Sequence, residues 1–348
     1  MSALLECAPY GPRDESALLS ELSQLSHHHL EGCPEYRRVW PGWVGARRLA
    51  ELPWLHVGLF KYLNLKTTFP GVQFERTLNS SSTTGNRPSQ IALDQTSSAL
   101  QARSTGAILR DFIGGGQRPL LVLDSAASLR MRGAVSARIA AALSLKPMAS
   151  EIHFLLTDST DPATLRWDLL GDLLDRHDDL LVYGFTWMLW LAWGAASIPE
   201  AVSARLNGKR ITFVHSGGWK RLDALRVDRA AFDGALLRGL GPGSAVIDYY
   251  GLVEQVGVIY PLCAHGFRHV PVWAGVLVRD PFNLRPLLEA PGQLQLLNTL
   301  ARGVPCHSVL TEDLGIIRAG DCPCGRSGPR FELLGRVPKA ELRGCANA

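Results

Sequence analysis

The chain has 348 residues and a mass of 38.0 kDa, enough for about two domains. Its composition, with 46% hydrophobic and 20% charged residues, is that of a globular protein and excludes a disordered, collagen-like or coiled-coil chain. The net charge of +4 is spread in both signs along the sequence, so charge gives no indication of nucleic-acid binding.

The first predicted elements are helical. Between Glu15 and Leu30, apolar residues recur at spacings of three and four, which predicts a helix. Three adjacent histidines, residues 27–29, lie near its end. Because adjacent helix positions point in different directions, we expect a solvated helix end here and not a shared metal. Residues 1–75 as a whole are predicted to form a helical and irregular N-terminal region.

An alternation of strands and helices follows. Short apolar segments lie at 119–124, 152–157, 180–184, 210–215 and 245–250, with helix-like stretches between them. This rhythm predicts an α/β fold with a doubly wound parallel sheet, buried on both faces, in a core spanning residues 76–270. Shorter strands and turns predict a small antiparallel β subdomain at 271–335, and residues 336–348 are predicted to be a short tail.

The most apolar segment runs from Leu180 to Pro199 and contains no charged residue. Its length approaches that of a membrane span, but acidic residues flank both sides and no basic residue fixes an orientation. We interpret it as a buried strand leading into an apolar helix with Trp187, Trp190 and Trp193. The N-terminus lacks signal-peptide features and the seven cysteines are unevenly spaced, so we expect a cytoplasmic protein without a transmembrane span.

The strongest local motif is the loop at 79–89, NSSSTTGNRPS. Consecutive hydroxyl side chains followed by glycine supply donors and a backbone able to adopt positive φ, which suits a loop that wraps phosphate oxygens. The loop lacks the Gly-Lys-Ser/Thr ending of a Walker A motif. Taken alone, it is equally consistent with a linker rich in serine and threonine.

Other motifs give this loop a context. Residues 80–89 resemble the phosphate loop of adenylate-forming enzymes, the superfamily of acyl-CoA synthetases, adenylation domains and luciferases. Later segments resemble further superfamily motifs in the same order: DYYGLVE (248–254), TEDL (311–314) and GR (335–336). A closer resemblance, over roughly residues 40–345, is to the LuxE-type acyl-protein synthetases of bacterial bioluminescence. It rests on strings such as GLFKYLNLK (58–66), HSGGWK (215–220), DYYGLVEQVG (248–257) and CPCGRSGPRFELLGR (322–336).

The resemblance implies a two-step reaction and assigns residues to it. A carboxylate attacks the α-phosphate of ATP to give an acyl-adenylate and pyrophosphate, and a thiol then takes the acyl group. Glu254 is expected to bind Mg²⁺, Asp313 the ribose hydroxyls, Tyr250 the adenine, and Arg336 the ribose or α-phosphate. The other expected nucleotide-binding residues are Ser80, Ser81, Ser82, Thr83, Thr84, Gly85, Gly217, Gly218 and Gly251. For Glu254 and Asp313, a helix cap or a surface charge is the alternative role.

Departures from the superfamily pattern affect these expectations. Ser82 and Ser89 stand where the phosphate loop usually has glycine and lysine, and Val253 replaces a threonine that contacts the α-phosphate. The sequence ends twelve residues after Arg336, so we expect a core that lacks the superfamily's C-terminal lid domain and its lysine. Lys220 is the candidate replacement cation, with a solvated surface lysine as the alternative.

Cys345 lies near the end of the sequence and resembles the family's acyl-carrying thiol. Lys339 and Arg343 are close in sequence, and nearby positive charge favours the thiolate that attacks an acyl-adenylate. An incidental C-terminal cysteine is the alternative.

A second group of cysteines has the chemistry of a metal site. Cys263, His269, Cys322 and Cys324 offer a Cys₃His set of the kind that binds structural zinc. His269 is preferred to His265, the dipeptide Cys306-His307 is the rival source of a fourth ligand, and buried free thiols are the alternative.

These observations predict an ATP-dependent, AMP-forming acid–thiol ligase. It would activate a fatty or aromatic carboxylic acid, move it to Cys345 as a thioester and deliver it to an acyl-reductase or carrier-protein partner. ATP and Mg²⁺ are the expected cofactors, with Zn²⁺ as a structural metal. The tryptophan segment would line the acyl site or form a buried core helix. The alternatives are a ligase that passes the acyl group to CoA, an amine or an alcohol, and a catalytically weakened scaffold partner of an acyl reductase.

Overall fold

The computed structural model describes residues 2–80, 87–130, 135–255 and 257–337. The chain starts with two helices, α1 (Glu15–Gly32) and α2 (Pro34–Val39), and a short strand, β1 (Leu55–His56). The Asp14 carboxylate accepts a hydrogen bond from the Ala17 amide and so caps α1. Leucines along one face of α1 are fully buried, and the helix predicted from Glu15 is confirmed.

The histidines at the end of α1 differ from the prediction of a solvated helix end. His27 is exposed, but His29 is fully buried. The Nδ1 atom of His29 lies 2.7 Å from the Thr67 hydroxyl, and its ring stacks on His307. The prediction is wrong for His29 because segments far along the chain cover the helix end, which local spacing does not reveal.

The central region alternates strands with helices. Its strands are β2 (Phe74–Asn79), β3 (Gln90–Asp94), β4 (Arg118–Ser125), β5 (Val135–Ser136), β6 (Ala149–Leu156), β7 (Asp179–Phe185), β8 (Arg210–Ser216), β9 (Ala245–Tyr250) and β10 (Tyr260–Pro261). Its helices are α3 (Gln95–Ile113), α4 (Ala137–Ser144), α5 (Trp167–Arg176), α6 (Thr186–Leu189), α7 (Glu200–Leu206) and α8 (Arg229–Leu236).

The central sheet has the strand order β10-β9-β8-β7-β4-β6. Strands from β9 to β6 run parallel, and the short edge strand β10 is antiparallel to β9. Along β4, Leu121 and Leu123 face a core formed with helices α5 to α8, whereas Leu120 and Val122 face a core that includes residues of α3 and α4. Burial on both faces explains the continuously apolar strands and confirms the predicted doubly wound parallel sheet.

The apolar segment after β7 is part of the core. Helix α6 continues into a π-helical turn, Trp190–Gly194. Trp193 is buried, and Trp187 and Trp190 pack against the same cluster. Among the described residues, no helix is both long enough and apolar enough to cross a membrane.

The later part of the described chain forms a largely antiparallel sheet. Its strands are β11 (Arg268–His269), β12 (Ala274–Arg279), β13 (Pro286–Leu287), β14 (Gly292–Asn298), β15 (Ser308–Arg318) and β16 (Arg330–Arg336). The order is β11-β16-β15-β14-β12-β13, and β1 pairs in parallel with β15. A smaller sheet has the order β3-β2-β5. The antiparallel sheet agrees with the expected fold class, and the boundaries at 75/76, 270/271 and 335/336 remain proposals.

Candidate active site

A cavity of about 620 Å³ lies at the carboxyl ends of β7, β8 and β9 and reaches β15 and β16 of the antiparallel sheet. Phe185, Gly217 and Glu254 line it from the parallel sheet, and Asp313 and Arg336 line it from the antiparallel sheet. Open α/β sheets bind ligands at the carboxyl ends of their strands. The cavity is therefore the candidate active site.

The base of the phosphate-loop motif is held closed by two hydrogen bonds. The Ser80 amide donates to the Ser89 carbonyl at 3.0 Å, and the Ser89 amide donates to the Ser80 hydroxyl at 2.8 Å. Both serines line the cavity. The Ser89 hydroxyl is buried and lies beside the Glu254 carboxyl. The remaining predicted loop residues lie outside the described part of the chain: Ser81, Ser82, Thr83, Thr84 and Gly85.

Glu254 follows β9 and lines the cavity with only 4% of its surface exposed. Burial raises the pKa of its carboxyl above the ordinary value, because the charged form loses its hydration. The nearby Ser89 hydroxyl and the Lys61 ammonium lower this pKa in part. A buried carboxylate beside a hydroxyl is a donor set that fits a hard divalent cation.

Asp313 and Arg336 are brought together by the pairing of β15 with β16, where they are direct register partners. The Arg336 Nε atom lies 3.4 Å from one Asp313 carboxylate oxygen. The Tyr250 hydroxyl donates to the other at 2.7 Å. Burial raises the pKa of Asp313, and these two partners oppose that rise. Tyr250 and Arg336 therefore fix the orientation of the Asp313 carboxylate, which lines the cavity.

The structure places Tyr250 behind this carboxylate. Its ring contacts Tyr260 and Phe331 in the core, whereas the neighbouring Tyr249 lines the cavity. The stacking of Tyr250 on adenine stays a prediction.

Glycines leave room beside the cavity after β8 and β9. Gly217 and Gly218 have φ values of +84° and +60°, a region that side chains with a Cβ rarely adopt. A Cβ on Gly217 would also lie 3.3 Å from the Phe185 ring. Gly251 lines the cavity too. Lys220 follows in a 3₁₀ helix, Lys220–Leu225, but its side chain lies outside the described part.

Lys61 and Arg87 also line the cavity, and the sequence analysis did not single them out. Lys61 ends a 3₁₀ helix, Val57–Lys61, within the GLFKYLNLK string. The chain contains only six lysines, and this scarcity is the signal that could have singled out Lys61. Arg87 lies directly after the predicted loop and carried no comparable signal.

Apolar residues line part of the cavity, and the tryptophans are not among them. These side chains come from Val57, Leu78, Ala140, Ala141, Phe185, Leu252, Val253, Val258 and Ile259. Trp193 is buried in the core beneath the parallel sheet, with Trp187 and Trp190 packed against it. Of the two roles expected for this segment, the structure favours the buried core helix, since none of the three tryptophans lines the cavity.

A polar network surrounds Asp248 in β9. The Arg268 guanidinium contacts the Asp248 carboxylate at 2.5 Å and donates to the Tyr260 carbonyl at 2.8 Å. Burial pushes the pKa of Asp248 upward, but the charges of Arg268 and His215 and the hydrogen bond from Arg268 together outweigh burial, and the net shift is downward. His215 lies 3.9 Å from the same carboxylate and 3.0 Å from the Thr186 hydroxyl. The network fixes the end of β9, from which the motif enters the cavity.

Cys263, His269, Cys322 and Cys324 lie together, and we refer to them as the Cys263 cluster. Their ligand atoms all lie within 4.8 Å of one another. Cys306 and His307, the rival ligands, are elsewhere: His307 contacts the Ser26 hydroxyl at 2.9 Å and stacks on His29. No member of the cluster lines the cavity. Cys345 lies outside the described residues.

Comparison with known structures identifies the fold. 2-Hydroxyisobutyryl-CoA ligase, in an open conformation with 2-HIB-AMP and CoA, superposes with a TM-score of 0.65, at 17% identity over 95% of this chain and 76% of that one. The same ligase in a post-adenylation state with 2-HIB-AMP gives a TM-score of 0.62, at 18% identity over 93% and 68% of the two chains. At this identity the likeness shows a shared fold, that of adenylate-forming ligases.

Comparison of sequences identifies the family. The long-chain-fatty-acid–luciferin-component ligase of Aliivibrio fischeri is 26% identical over 143 residues, which cover 40% of this chain and 37% of that relative. The matched segment therefore spans well under half of the relative. The profile of a family described as acyl-protein synthetase, LuxE, matches residues 15–348. This confirms the resemblance seen in the motifs, and the chain belongs to the LuxE acyl-protein synthetase family.

Proposed function

We propose that this protein is an ATP-dependent, AMP-forming ligase that activates a carboxylic acid and transfers it to the thiol of Cys345. In the first step, a carboxylate oxygen attacks the α-phosphorus of ATP, and the bond from that phosphorus to the bridging oxygen breaks to release pyrophosphate. In the second step, the Cys345 thiolate attacks the carbonyl carbon of the acyl-adenylate and AMP leaves. The product is an acyl-protein thioester, and the thiol proton passes to solvent.

The observation that carries this proposal is the convergence of separate motifs on one cavity. Ser89, Glu254 and Asp313 come from three distant parts of the sequence and line the same space. The buried Glu254 carboxylate costs stability without a ligand, and the buried Ser89 hydroxyl lies beside it. MgATP offers partners to both, since carboxylates bind Mg²⁺ and phosphate oxygens accept from hydroxyls.

Asp313 and Arg336 are proposed to hold the other half of the nucleotide. A carboxylate has more acceptor positions than its two present partners use, so Asp313 can accept hydrogen bonds from the ribose hydroxyls while Tyr250 holds its orientation. The Arg336 side chain is 72% exposed and therefore free to turn toward the ribose or the α-phosphate.

The α-phosphate gains negative charge as pyrophosphate leaves, so catalysis needs a nearby cation. We propose Lys61 for this role alongside Lys220, because Lys61 lines the cavity and its charge acts on Glu254. Lys61→Met should slow acid-dependent ATP–pyrophosphate exchange by at least tenfold. Lys66→Met is the matched control, since Lys66 lies over the Phe74 ring and does not line the cavity. If Lys61→Met exchanges pyrophosphate at the wild-type rate and Lys220→Met exchanges it slowly, the catalytic cation is Lys220.

The acid is proposed to be fatty or aromatic, because apolar residues such as Leu252, Val258 and Ile259 line part of the cavity. Delivery of the thioester to an acyl-reductase or carrier-protein partner is proposed from membership of the family. We assign no chemical step to the Cys263 cluster, since none of its residues lines the cavity.

The testing experiment measures the intact mass of the full chain after incubation with ATP, Mg²⁺ and a panel of carboxylic acids. We expect a hydroxylamine-labile acyl adduct on the wild type and on Cys7→Ser, an exposed-thiol control. We expect none on Cys345→Ser. The mass added by the adduct would identify the acid.

Two other outcomes would support the alternatives. Acid-dependent pyrophosphate release without an adduct would favour a ligase that passes the acyl group to CoA, an amine or an alcohol. A folded chain that gives neither adduct nor pyrophosphate, with or without an acyl reductase, would favour a scaffold that has lost adenylation.

A further inference from the structure

The Cys263 cluster lies outside the candidate active site, and nothing in the proposed reaction uses it. We propose that it is a structural zinc centre with four protein ligands: the sulfurs of Cys263, Cys322 and Cys324 and the Nε2 atom of His269. The proposal does not depend on the ligase activity.

The spacing of the ligand atoms fits tetrahedral zinc. With Zn–S bonds of about 2.3 Å and Zn–N bonds of about 2.0 Å, a tetrahedron places two sulfurs about 3.8 Å apart and a sulfur and a nitrogen about 3.5 Å apart. The Cys263 and Cys322 sulfurs are 3.9 Å apart, and the Cys324 sulfur lies 3.2 Å from His269 Nε2. A disulfide would need sulfurs about 2.05 Å apart.

Two tight turns present these ligands to each other. In the first, the Cys263 amide donates to the Phe267 carbonyl at 2.9 Å, and Gly266 takes a φ of +81°. In the second, the Gly325 amide donates to the Cys322 carbonyl at 3.0 Å, and Gly325 also has a φ of +81°. Positive φ at these glycines lets the backbone of each segment reverse direction close to its cysteine. The pairing of β11 with β16 then sets His269 opposite Arg330.

Burial and charge distinguish a metal centre from a group of idle thiols. Cys263, Cys322 and His269 are 2%, 5% and 0% exposed. In the described residues, the hydrogen-bond-range partner of His269 Nε2 is a cysteine sulfur, a weak substitute for the polar partner that a buried imidazole needs. Three thiolates, one neutral imidazole and Zn²⁺ carry a net charge of −1. Arg326 lies beside Cys324 and supplies an opposing positive charge.

Four protein ligands leave no coordination position for water, which makes the centre structural and not catalytic. It would join the β10–β11 turn to the turn that precedes β16. The N-terminal segment also packs here, because the Tyr10 ring lies 5.9 Å from the His269 ring and the Tyr10 carbonyl accepts from the Ser327 amide at 3.3 Å. Zinc would therefore fix three segments that are distant in sequence.

The test is the metal content of the full chain, purified without an affinity tag that binds metal. We expect about one zinc per chain by elemental analysis. Replacement by Co²⁺ should give the strong visible bands of tetrahedral cobalt and a sulfur-to-cobalt charge-transfer band in the near ultraviolet. Cys324→Ser should lose most of the zinc. Cys33→Ser, which changes another buried thiol 3.7 Å from a Glu35 oxygen, should keep all of it.

The outcomes separate cleanly. If Cys324→Ser fails to fold, the zinc content and cobalt spectrum of the wild type still decide the question. A folded wild type that carries no zinc and gives no tetrahedral cobalt spectrum would overturn the proposal. A wild-type mass two hydrogens below that of the reduced chain would show a disulfide in the cluster and would also overturn the proposal. A zinc loss in Cys33→Ser as large as that in Cys324→Ser would overturn it as well.

Discussion

Replacement of Glu254 by glutamine should stabilise the fold and abolish the reaction, two effects of opposite sign. Glu254 is 4% exposed, and burial raises its pKa above the ordinary 4.5. As the pH rises from 4.5, the unfolded chain loses this proton before the folded chain does, so the free energy of unfolding falls until the pH passes the raised pKa. Each pH unit between those two pKa values costs the folded state about 1.4 kcal/mol.

Glutamine has nearly the same shape and never ionises, so Glu254→Gln escapes this cost. We expect its free energy of unfolding at pH 7 to exceed that of the wild type by on the order of 1 kcal/mol. The difference should shrink as the pH falls toward 4.5. ATP–pyrophosphate exchange should fall by a factor of about 100 or more, because the proposed Mg²⁺ ligand and its charge are lost.

Urea unfolding between pH 4.5 and 8, without nucleotide, measures the first effect, and exchange with the acid identified by mass measures the second. Glu312→Gln removes a carboxylate from a half-buried position in the same cavity and controls for the change in net charge. A Glu254→Gln chain that is less stable at pH 7 and exchanges at the wild-type rate would refute the reasoning. Glu254 would then be a structural residue and not a ligand.

Three further substitutions test the rest of the site. Asp313→Asn should raise the KM for ATP about 10- to 100-fold, because a charged acceptor of hydrogen bonds contributes about 1.5–3 kcal/mol; an unchanged KM would remove Asp313 from the nucleotide site. Tyr250→Phe removes a hydrogen bond that lowers the pKa of Asp313, so the acid limb of the pH–rate profile should move to higher pH, and a move to lower pH would contradict this. Gly217→Ala and Gly218→Ala should each lower the free energy of unfolding by about 1 kcal/mol because of their positive φ. Since Phe185 restricts only the first, exchange should slow for Gly217→Ala alone, and equal slowing in both would point to strain as the cause.

The parallel sheet could be predicted from the sequence because its signal is local. Strands buried on both faces must be continuously apolar, and segments such as 119–124 show this within a few residues. Long-range burial gives no such signal. His29 looked like a residue at a solvated helix end, yet Thr67 and the distant Ala301 carbonyl enclose its ring. Aromatic content around Trp193 likewise fitted an acyl pocket and a core helix equally well, and the structure has a core there.

The candidate active site could be predicted from the sequence only in part, because motifs identify residues but not the residues that lie near them in the fold. Glu254 and Asp313 could be named from their motifs, but their shared cavity depends on how the parallel and antiparallel sheets meet. Lys61 belonged to a string that carried the resemblance and still received no role, because only the fold brings it near Glu254. The Cys263 cluster could be proposed from residue types alone because few arrangements of three cysteines and a histidine serve another chemistry.

Strand β16 connects the two candidate sites of this chain. Arg330, at its start, pairs with His269 of the Cys263 cluster, and Arg336, at its end, pairs with Asp313 in the cavity. Six residues of extended chain separate these ends by about 20 Å, which is too far for a zinc centre to act directly on the charge of a phosphate. An effect of zinc on catalysis would therefore pass through the positions of the strands that the zinc centre adjoins, β11 and β16. Removal of zinc from the folded chain should accordingly raise the KM for ATP, while saturating ATP should leave the zinc stoichiometry unchanged.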